Sequence, residues 1–177
     1  SLTLTATLSN ATNADVTVGI SKDSGTATEG SDFSNLSNIT ISAGATTGTT
    51  SFTPSDDSIY ELNETAVIII DSVSGGSASE NGNQSVTLTI TNDESAPTVS
   101  LSSSASTIDE NGGGSVTITA TASGATYENI SVPVTMSGTA LEGTDYGTVS
   151  DITISAGATT GTSSFTPTDD SMYEGNE

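Results

Sequence analysis

Acidic side chains gather in one short segment of the sequence. Asp56, Asp57, Glu61 and Glu64 place four carboxylates within nine residues. Lys22 is the single base among 22 acids, so nearby salt bridges cannot neutralise these charges. Two carboxylates ~4 Å apart repel by ~1 kcal/mol in water, and by more where water is partly excluded. A bound divalent cation reverses the sign of that energy, and calcium prefers carboxylate oxygens. The segment therefore predicts a calcium site.

The composition of the chain excludes several other kinds of chemistry. The formal charge of -21 repels phosphate backbones and anionic lipid, so we expect neither nucleic-acid binding nor membrane insertion. Cys and His are both absent, which excludes thiol nucleophiles, Ser-His-Asp triads and zinc sites built from those ligands. A glycosidase-like pair of carboxylates would need a cleft with aromatic subsites, and the sequence shows no sign of one. We therefore predict that the chain is not an enzyme.

A simpler interpretation of the acids stays open from the sequence alone. In that interpretation Asp56 and Asp57 only form a turn, Glu61 and Glu64 are solvated, and Asp32 caps a loop. Acidic surfaces also keep exported proteins dispersed. The more scattered acids are interpreted as surface residues; they include Asp15, Asp23, Glu29, Asp71, Glu80, Glu128, Glu142 and Asp151.

An internal repeat organises the chain. Residues 39–61 read ITISAGATTGTTSFTPSDDSIYE and residues 152–174 read ITISAGATTGTSSFTPTDDSMYE. Upstream, residues 25–33 match 138–146, and residues 1–12 match 115–126. The period of about 113 residues is the size of one β-sandwich domain. We predict two domains, residues 1–94 without an opening strand and residues 95–177 without the last two strands. The first should be the better formed, and the second should be incomplete or borrow strands.

The segments that would position the acids alternate with period two. Leu2, Leu4, Ala6 and Leu8 alternate with threonines, which is typical of an antiparallel strand with one buried face. Residues 66–70 (AVIII) are continuously apolar and indicate a central strand. Glycine- and asparagine-rich turns separate these runs. The pattern predicts an all-β chain of tandem antiparallel β-sandwiches.

In its ordered motifs the sequence resembles the Calx-beta family, which occurs in sodium–calcium exchangers and in long bacterial surface proteins. The motifs are GTAxxGxDF/Y, a strand ending in AG, SFTPxDDxxYExNE, and a closing strand that ends in acids. The resemblance implies a seven-stranded, immunoglobulin-like Greek-key sandwich that binds calcium through loops at one end. Bacterial members occur as tandem arrays in adhesins and other exported proteins.

The resemblance also implies a set of calcium ligands in each repeat. For the first repeat the set is Asp32, Asp56, Asp57, Glu61, Glu64, Asp93 and Glu94, with Asn92 beside them. For the second repeat it is Glu110, Asp145, Asp169, Asp170, Glu174 and Glu177. Asn92 and Ser58 stand where calcium-binding members often have Asp, which implies fewer sites or a lower affinity.

These observations lead to one main functional hypothesis and one alternative. The main hypothesis is a non-catalytic calcium-binding repeat of a large cell-surface or secreted protein of bacterial type, which acts as a calcium-stiffened spacer or adhesion stalk. Its expected partners are calcium ions and neighbouring repeats of the same chain. The alternative is an adhesin module that binds a host glycan or protein directly. Such sites usually need exposed aromatic anchors, and the chain has no Trp.

Overall fold

The computed structural model describes residues 1–172 and residue 175. In this part of the chain the regular structure is all β, apart from one 3-10 turn at Glu110–Gly112. The strands are β1 (Leu2–Thr7), β2 (Val16–Ser24), β3 (Ile39–Ile41), β4 (Thr47–Phe52), β5 (Ile59–Tyr60), β6 (Glu64–Ser74), β7 (Ser85–Ile90), β8 (Val99–Ser103), β9 (Val116–Ala122), β10 (Ala125–Thr126), β11 (Ile130–Val132), β12 (Ile152–Ile154) and β13 (Thr160–Phe165). The all-β prediction is confirmed. The described residues include no helix with the length and hydropathy of a membrane span.

The described chain forms two compact units. The first contains Ser1–Asp57 and Leu62–Asn92, and the second contains Ser58–Glu61 and the chain from Asp93 onward. The four residues Ser58–Glu61 therefore belong to the second unit, where β5 pairs in parallel with β10. The sequence pattern does not predict this pairing of β5 with β10.

The first unit is a sandwich of two antiparallel sheets. One sheet pairs β1 with β4, and the other has the strand order β3-β2-β6-β7. Residues 66–70 lie in β6, between β2 and β7, as the continuous apolar run predicts. Threonines of β1 face solvent while Leu4 and Ala6 pack against the buried valines and isoleucines of β2 and β3. The immunoglobulin-like arrangement of two packed sheets is confirmed.

A second part of this core contains two aromatic residues that lie near acidic residues in the sequence. Phe33 and Phe52 stack with ring centroids 4.7 Å apart and pack with Ala66 and Ile68 of β6. Phe33 directly follows Asp32, and Phe52 ends the strand that leads to Asp56. Burial of the two rings therefore fixes the loops that carry these two carboxylates.

The second unit repeats part of this arrangement. Its sheets are β13-β9-β8, β11-β12 and β10-β5. The β9–β13 register pairs Val116 with Phe165, as the β1–β4 register pairs Leu2 with Phe52. The buried core contains Ala120, Ala122, Ile152 and Ile154.

One glycine in each repeat permits a close approach of neighbouring strands. A Cβ on Gly48 would lie 2.3 Å from the Thr40 carbonyl oxygen, and one on Gly161 would lie 2.4 Å from that of Thr153. Any larger side chain would force β4 away from β3, or β13 away from β12. The repeated TTGT motif is therefore a packing requirement of the sandwich.

Candidate metal centre

Asp32 is held in a tight turn that precedes the buried Phe33. Its backbone N–H donates to the Thr28 carbonyl oxygen at 2.9 Å, and its Oδ2 accepts a hydrogen bond from the Thr28 N–H. The Asp32 carbonyl oxygen accepts the N–H of Ser55 at 2.9 Å. The turn that presents Asp32 is thereby joined to the segment that leads to Asp56.

The loop carrying Asp32 is also joined to the start of β6. Gly25 has a φ of 102°, and a Cβ there would lie 2.2 Å from the Thr65 carbonyl oxygen. This left-handed glycine brings the loop against Thr65, where two hydrogen bonds of 3.0 Å form. Ala27 N–H donates to the Thr65 carbonyl oxygen, and Thr65 N–H donates to Thr26 Oγ1. Glu64, the residue before Thr65, is consequently placed beside the Asp32 loop.

The acids that follow β7 are positioned by an asparagine. In the β6–β7 ladder Glu64 lies opposite Ile90, so β7 ends next to the beginning of β6. The backbone N–H of Asn92 donates to Asn63 Oδ1 at 3.0 Å. This bond fixes the point from which Asp93 and Glu94 follow. Asn63 was absent from the predicted site, although its place in the YELNE segment was the available signal.

Six of the predicted ligands form two groups of three carboxylates. Asp32, Glu61 and Glu64 are all half-buried, and one oxygen from each lies within 4.8 Å of the others. Asp56, Asp93 and Glu94 meet the same distance limit, with the first two exposed and Glu94 half-buried. We refer to these as the inner group and the outer group. The sequence suggested one cluster of Asp56, Asp57, Glu61 and Glu64, whereas the fold divides three of these acids between two groups.

The remaining predicted ligands are placed differently. Among the described residues Asp57 belongs to neither group of three. In the second repeat Glu110 Oε1 accepts the backbone N–H of Asp170 at 3.3 Å, and Asp169 is exposed nearby in sequence. Asp145 repeats the geometry of Asp32, because its Oδ2 accepts the Leu141 N–H at 2.6 Å. The described part of that repeat contains no group of three acids. Glu174 and Glu177 lie outside the described residues.

Several acids that the sequence indicated as surface residues accept backbone hydrogen bonds and so order loops. Asp15 Oδ1 accepts the Ala43 N–H at 2.8 Å, and Asn129 does the same for Ala156 in the second repeat. Glu29 Oε1 accepts the Leu36 N–H at 2.6 Å, within the loop that presents Asp32. These side chains remain exposed, so their role is to order turns.

The donor set of each group fits a calcium ion. Three oxygens no more than 4.8 Å apart share a point within about 2.8 Å of each, close to the usual calcium–oxygen distance of about 2.3–2.6 Å. Carboxylates bind calcium through one oxygen or two, so three of them supply three to six of the six to eight oxygens that it takes. Backbone carbonyls and water commonly supply the others.

The electrostatics of the two groups also favour a cation. At 4.8 Å each pair of ionised carboxylates repels by ~1 kcal/mol in water, and by several times more at the lower effective dielectric of a half-buried site. Lys22, the single base of the chain, lies in β2 opposite Ile68. A divalent ion bound at either group would supply the positive charge that the sequence lacks.

Comparison with known proteins identifies the family of the chain. The model of the Calx-beta domain matches the chain twice, at residues 2–95 and at residues 92–177. The chain belongs to the Calx-beta family. All six acids of the inner and outer groups lie within the first Calx-beta match. A search of curated proteins finds no match.

Two solved structures are similar to this chain at low sequence identity. One is the crystal structure of CBD12 from CALX1.2, with 19% identity and a TM-score of 0.46, covering 97% of this chain and 69% of that chain. The other is the crystal structure of calcium binding domain CBD12 of CALX1.1, with 16% identity and a TM-score of 0.46, covering 96% of this chain and 69% of that one.

Proposed function

We propose that this chain is a calcium-binding, non-catalytic structural module in which calcium orders the loops of the first Calx-beta repeat. The observation that carries the proposal is the convergence of Asp32, from one loop, with Glu61 and Glu64, which lie just before and at the start of β6. The fold therefore gathers acids that are far apart in the chain, which simple solubility does not require. The calcium-binding domain named in the CALX1.1 structure agrees with this chemistry.

The biological role that we propose for this calcium binding is mechanical. Calcium would tie the Asp32 loop, the YELNE segment and the acids after β7 into one ordered end of the repeat. An array of such repeats, with limits near 1–94 and 95–177, would then act as a stiff spacer or adhesion stalk. We place this array on a large exported or cell-surface protein, in which neighbouring repeats of the same chain are the partners.

Unfolding measurements with and without calcium test this proposal. Saturating calcium should raise the midpoint of thermal unfolding, and a chelator should reverse the rise. A ligand at 100 times its dissociation constant stabilises the folded state by about 2.7 kcal/mol, a shift of several degrees for a domain of this size. Glu61→Gln should reduce the shift, while Asp23→Asn, an exposed control with the same loss of charge, should keep it. An unchanged midpoint in the unmodified chain would refute the proposal.

A further inference from the structure

The tripeptide Glu-Asn-Gly occurs twice in the chain. Residues 80–82 lie in the connection between β6 and β7, and residues 110–112 lie between β8 and β9. In an Asn-Gly pair the backbone nitrogen of the glycine can attack the side-chain amide of the asparagine, because no Cβ on the glycine hinders the approach. The sequence therefore places the same local chemistry at two positions, and the fold gives these positions different backbones.

The backbone around Asn81 and Gly82 is open to solvent. Every residue from 79 to 84 is exposed, and a Cβ built on Gly82 would have no atom within 4 Å. Gly82 has a φ of 66°, so the chain turns here through a left-handed residue outside any strand. Among the described residues no backbone or side-chain group accepts the Gly82 N–H. The fold therefore does not hold this nitrogen in place.

A hydrogen bond from Gln84 restrains the peptide unit between Asn81 and Gly82. Gln84 Nε2 donates to the Asn81 carbonyl oxygen at 2.7 Å, while the Gln84 N–H is held separately by Glu80 Oε1 at 2.9 Å. Asn81 and Gln84 are both exposed, so water can replace the Nε2 donor when the peptide unit rotates. The rotation that brings the Gly82 nitrogen to the Asn81 amide therefore has a small cost.

The backbone around Asn111 and Gly112 is held in a turn of 3-10 helix. An extended Asp109 precedes the turn and a left-handed Gly113, with a φ of 60°, follows it. Glu110 Oε1 accepts the backbone N–H of Asp170 at 3.3 Å, which joins the turn to a distant segment. Side chains of a helical segment lean toward its N-terminus, away from the nitrogen of the following residue. The turn must open before the Gly112 nitrogen can reach the Asn111 amide.

We propose that Asn81 is a site of spontaneous deamidation in the folded chain, and that the helical turn protects Asn111. The Gly82 backbone nitrogen forms a bond to Asn81 Cγ and loses its proton, and the side-chain nitrogen leaves as ammonia. Water then opens the cyclic imide at one of its two carbonyl carbons, which gives aspartate or isoaspartate at position 81. Each product carries a new carboxylate, and isoaspartate also lengthens the backbone by a carbon atom.

The modification changes the turn that leads into β7. A carboxylate at position 81 lies next to Glu80 in a chain with a formal charge of -21, so it adds repulsion. Isoaspartate also displaces the carbonyl group to which Gln84 donates. Ser85 begins β7 opposite Ile69, close after this turn. Deamidation should therefore make the first pairs of the β6–β7 ladder open more readily.

Peptide mapping of the full-length chain by mass spectrometry tests the proposal. The folded chain is incubated at mildly alkaline pH, where the glycine nitrogen loses its proton more easily, and is digested at intervals. Deamidation at Asn81 should be at least about threefold faster than at Asn111, because the helical turn misplaces the reacting atoms at the second position. The chain unfolded in urea is the matched control and should lose this difference, since the two tripeptides are identical.

Two glutamine variants identify the source of the product. Glutamine keeps the amide but would have to form a larger ring, which is slow. Asn81→Gln should therefore remove most of the isoaspartate that the folded chain accumulates, whereas Asn111→Gln should leave most of it. Equal rates at the two positions of the folded chain, or a faster rate at Asn111, would overturn the proposal. So would an Asn81 that stays intact in the folded chain while both positions react in urea.

Discussion

Asn63 and Asn92 join two segments that bring acids to the first repeat. The backbone N–H of Asn92, just after β7, donates to Asn63 Oδ1 at 3.0 Å, and Asn63 lies between Glu61 and Glu64. One side chain thus connects the segment that supplies two inner-group acids with the segment that supplies Asp93 and Glu94. Because the ligands come from loops, bonds of this kind decide whether their carboxylates stay close enough to share an ion.

Removal of this bond should weaken both stability and calcium binding. Asn63→Ala leaves the Asn92 N–H without its acceptor, and the expected loss of stability is ~1 kcal/mol. Asn63→Asp keeps an oxygen acceptor at the same position but adds a carboxylate beside Glu61 and Glu64. At about 1 M salt, where this repulsion is screened, it should retain most of the stability. Denaturant unfolding of the three chains measures the difference. Equal losses for Asn63→Ala and Asn63→Asp would show that the hydrogen bond contributes nothing.

Neutralising one inner-group acid should have opposite effects with and without calcium. Glu61→Gln removes one charge from three close carboxylates while keeping the size and an oxygen acceptor. In a chelator this should stabilise the chain by ~1 kcal/mol, because like-charge repulsion decreases. In saturating calcium the same variant should be less stable than the unmodified chain. Thermal unfolding of both chains under both conditions measures the stability difference between them. If this difference has the same sign with and without calcium, Glu61 is not part of a calcium site.

Salt should stabilise the calcium-free chain. A net charge of -21 with one base leaves repulsion as the main long-range electrostatic effect. Raising the ionic strength from about 0.01 to about 1 M shortens the screening length from about 30 to about 3 Å and reduces this repulsion. The unfolding midpoint in chelator should rise with sodium chloride, and the rise should be smaller when calcium is bound. A midpoint that falls with salt would contradict this electrostatic account.

The glycine contacts between strands should be sensitive to a single methyl group. Gly48→Ala places a Cβ 2.3 Å from the Thr40 carbonyl oxygen and should destabilise the first unit by ~2 kcal/mol or more. Gly124→Ala is the matched control, because no atom lies within 4 Å of its Cβ position. The control should stay within ~0.5 kcal/mol of the unmodified chain. Urea unfolding distinguishes them, and equal midpoints would contradict the close approach of β3 and β4.

Alkaline pH should lower the stability of the folded chain through ionisation of the Tyr127 hydroxyl. Desolvation raises the pKa of the Tyr127 hydroxyl above 10.0, and the charge of Glu128 raises it further. A raised folded-state pKa means that the neutral phenol is favoured by folding, so this contribution is complete below pH 10.0 and is lost as the pH rises through the folded pKa. Tyr127→Phe should therefore reduce the loss of stability in alkali. Unfolding midpoints of both chains at neutral and at alkaline pH measure this loss of stability. Identical midpoints of the two chains across the alkaline range would contradict the raised pKa of Tyr127.

The sequence predicts the strands well because their signal is local. The alternation of Leu2, Leu4 and Ala6 with threonine marks β1, and the apolar run at residues 66–70 marks the central position of β6. The motif resemblance identified the Calx-beta family, which the family match confirms. In each case the decisive information lies within a short stretch of chain.

The grouping of the acids could not be predicted because it depends on contacts between loops. Asp56 and Asp57 are adjacent in sequence, yet only Asp56 joins Asp93 and Glu94. That choice follows from the return of β7 beside β6 and from the Asn63–Asn92 bond, and both are contacts between segments that are distant in sequence. The pairing of Ile59 and Tyr60 with β10 is likewise a contact between distant segments.

Calorimetric titration of calcium into the chelator-treated chain measures whether the grouped carboxylates bind the ion. Binding should be saturable, and Glu61→Gln should weaken it by at least about tenfold, equivalent to ~1.4 kcal/mol, while Asp23→Asn leaves it unchanged. Magnesium should compete poorly, since it demands shorter distances and a stricter octahedral geometry than flexible carboxylate loops supply. The absence of saturable calcium binding in the unmodified chain would show that these carboxylates do not form a calcium site.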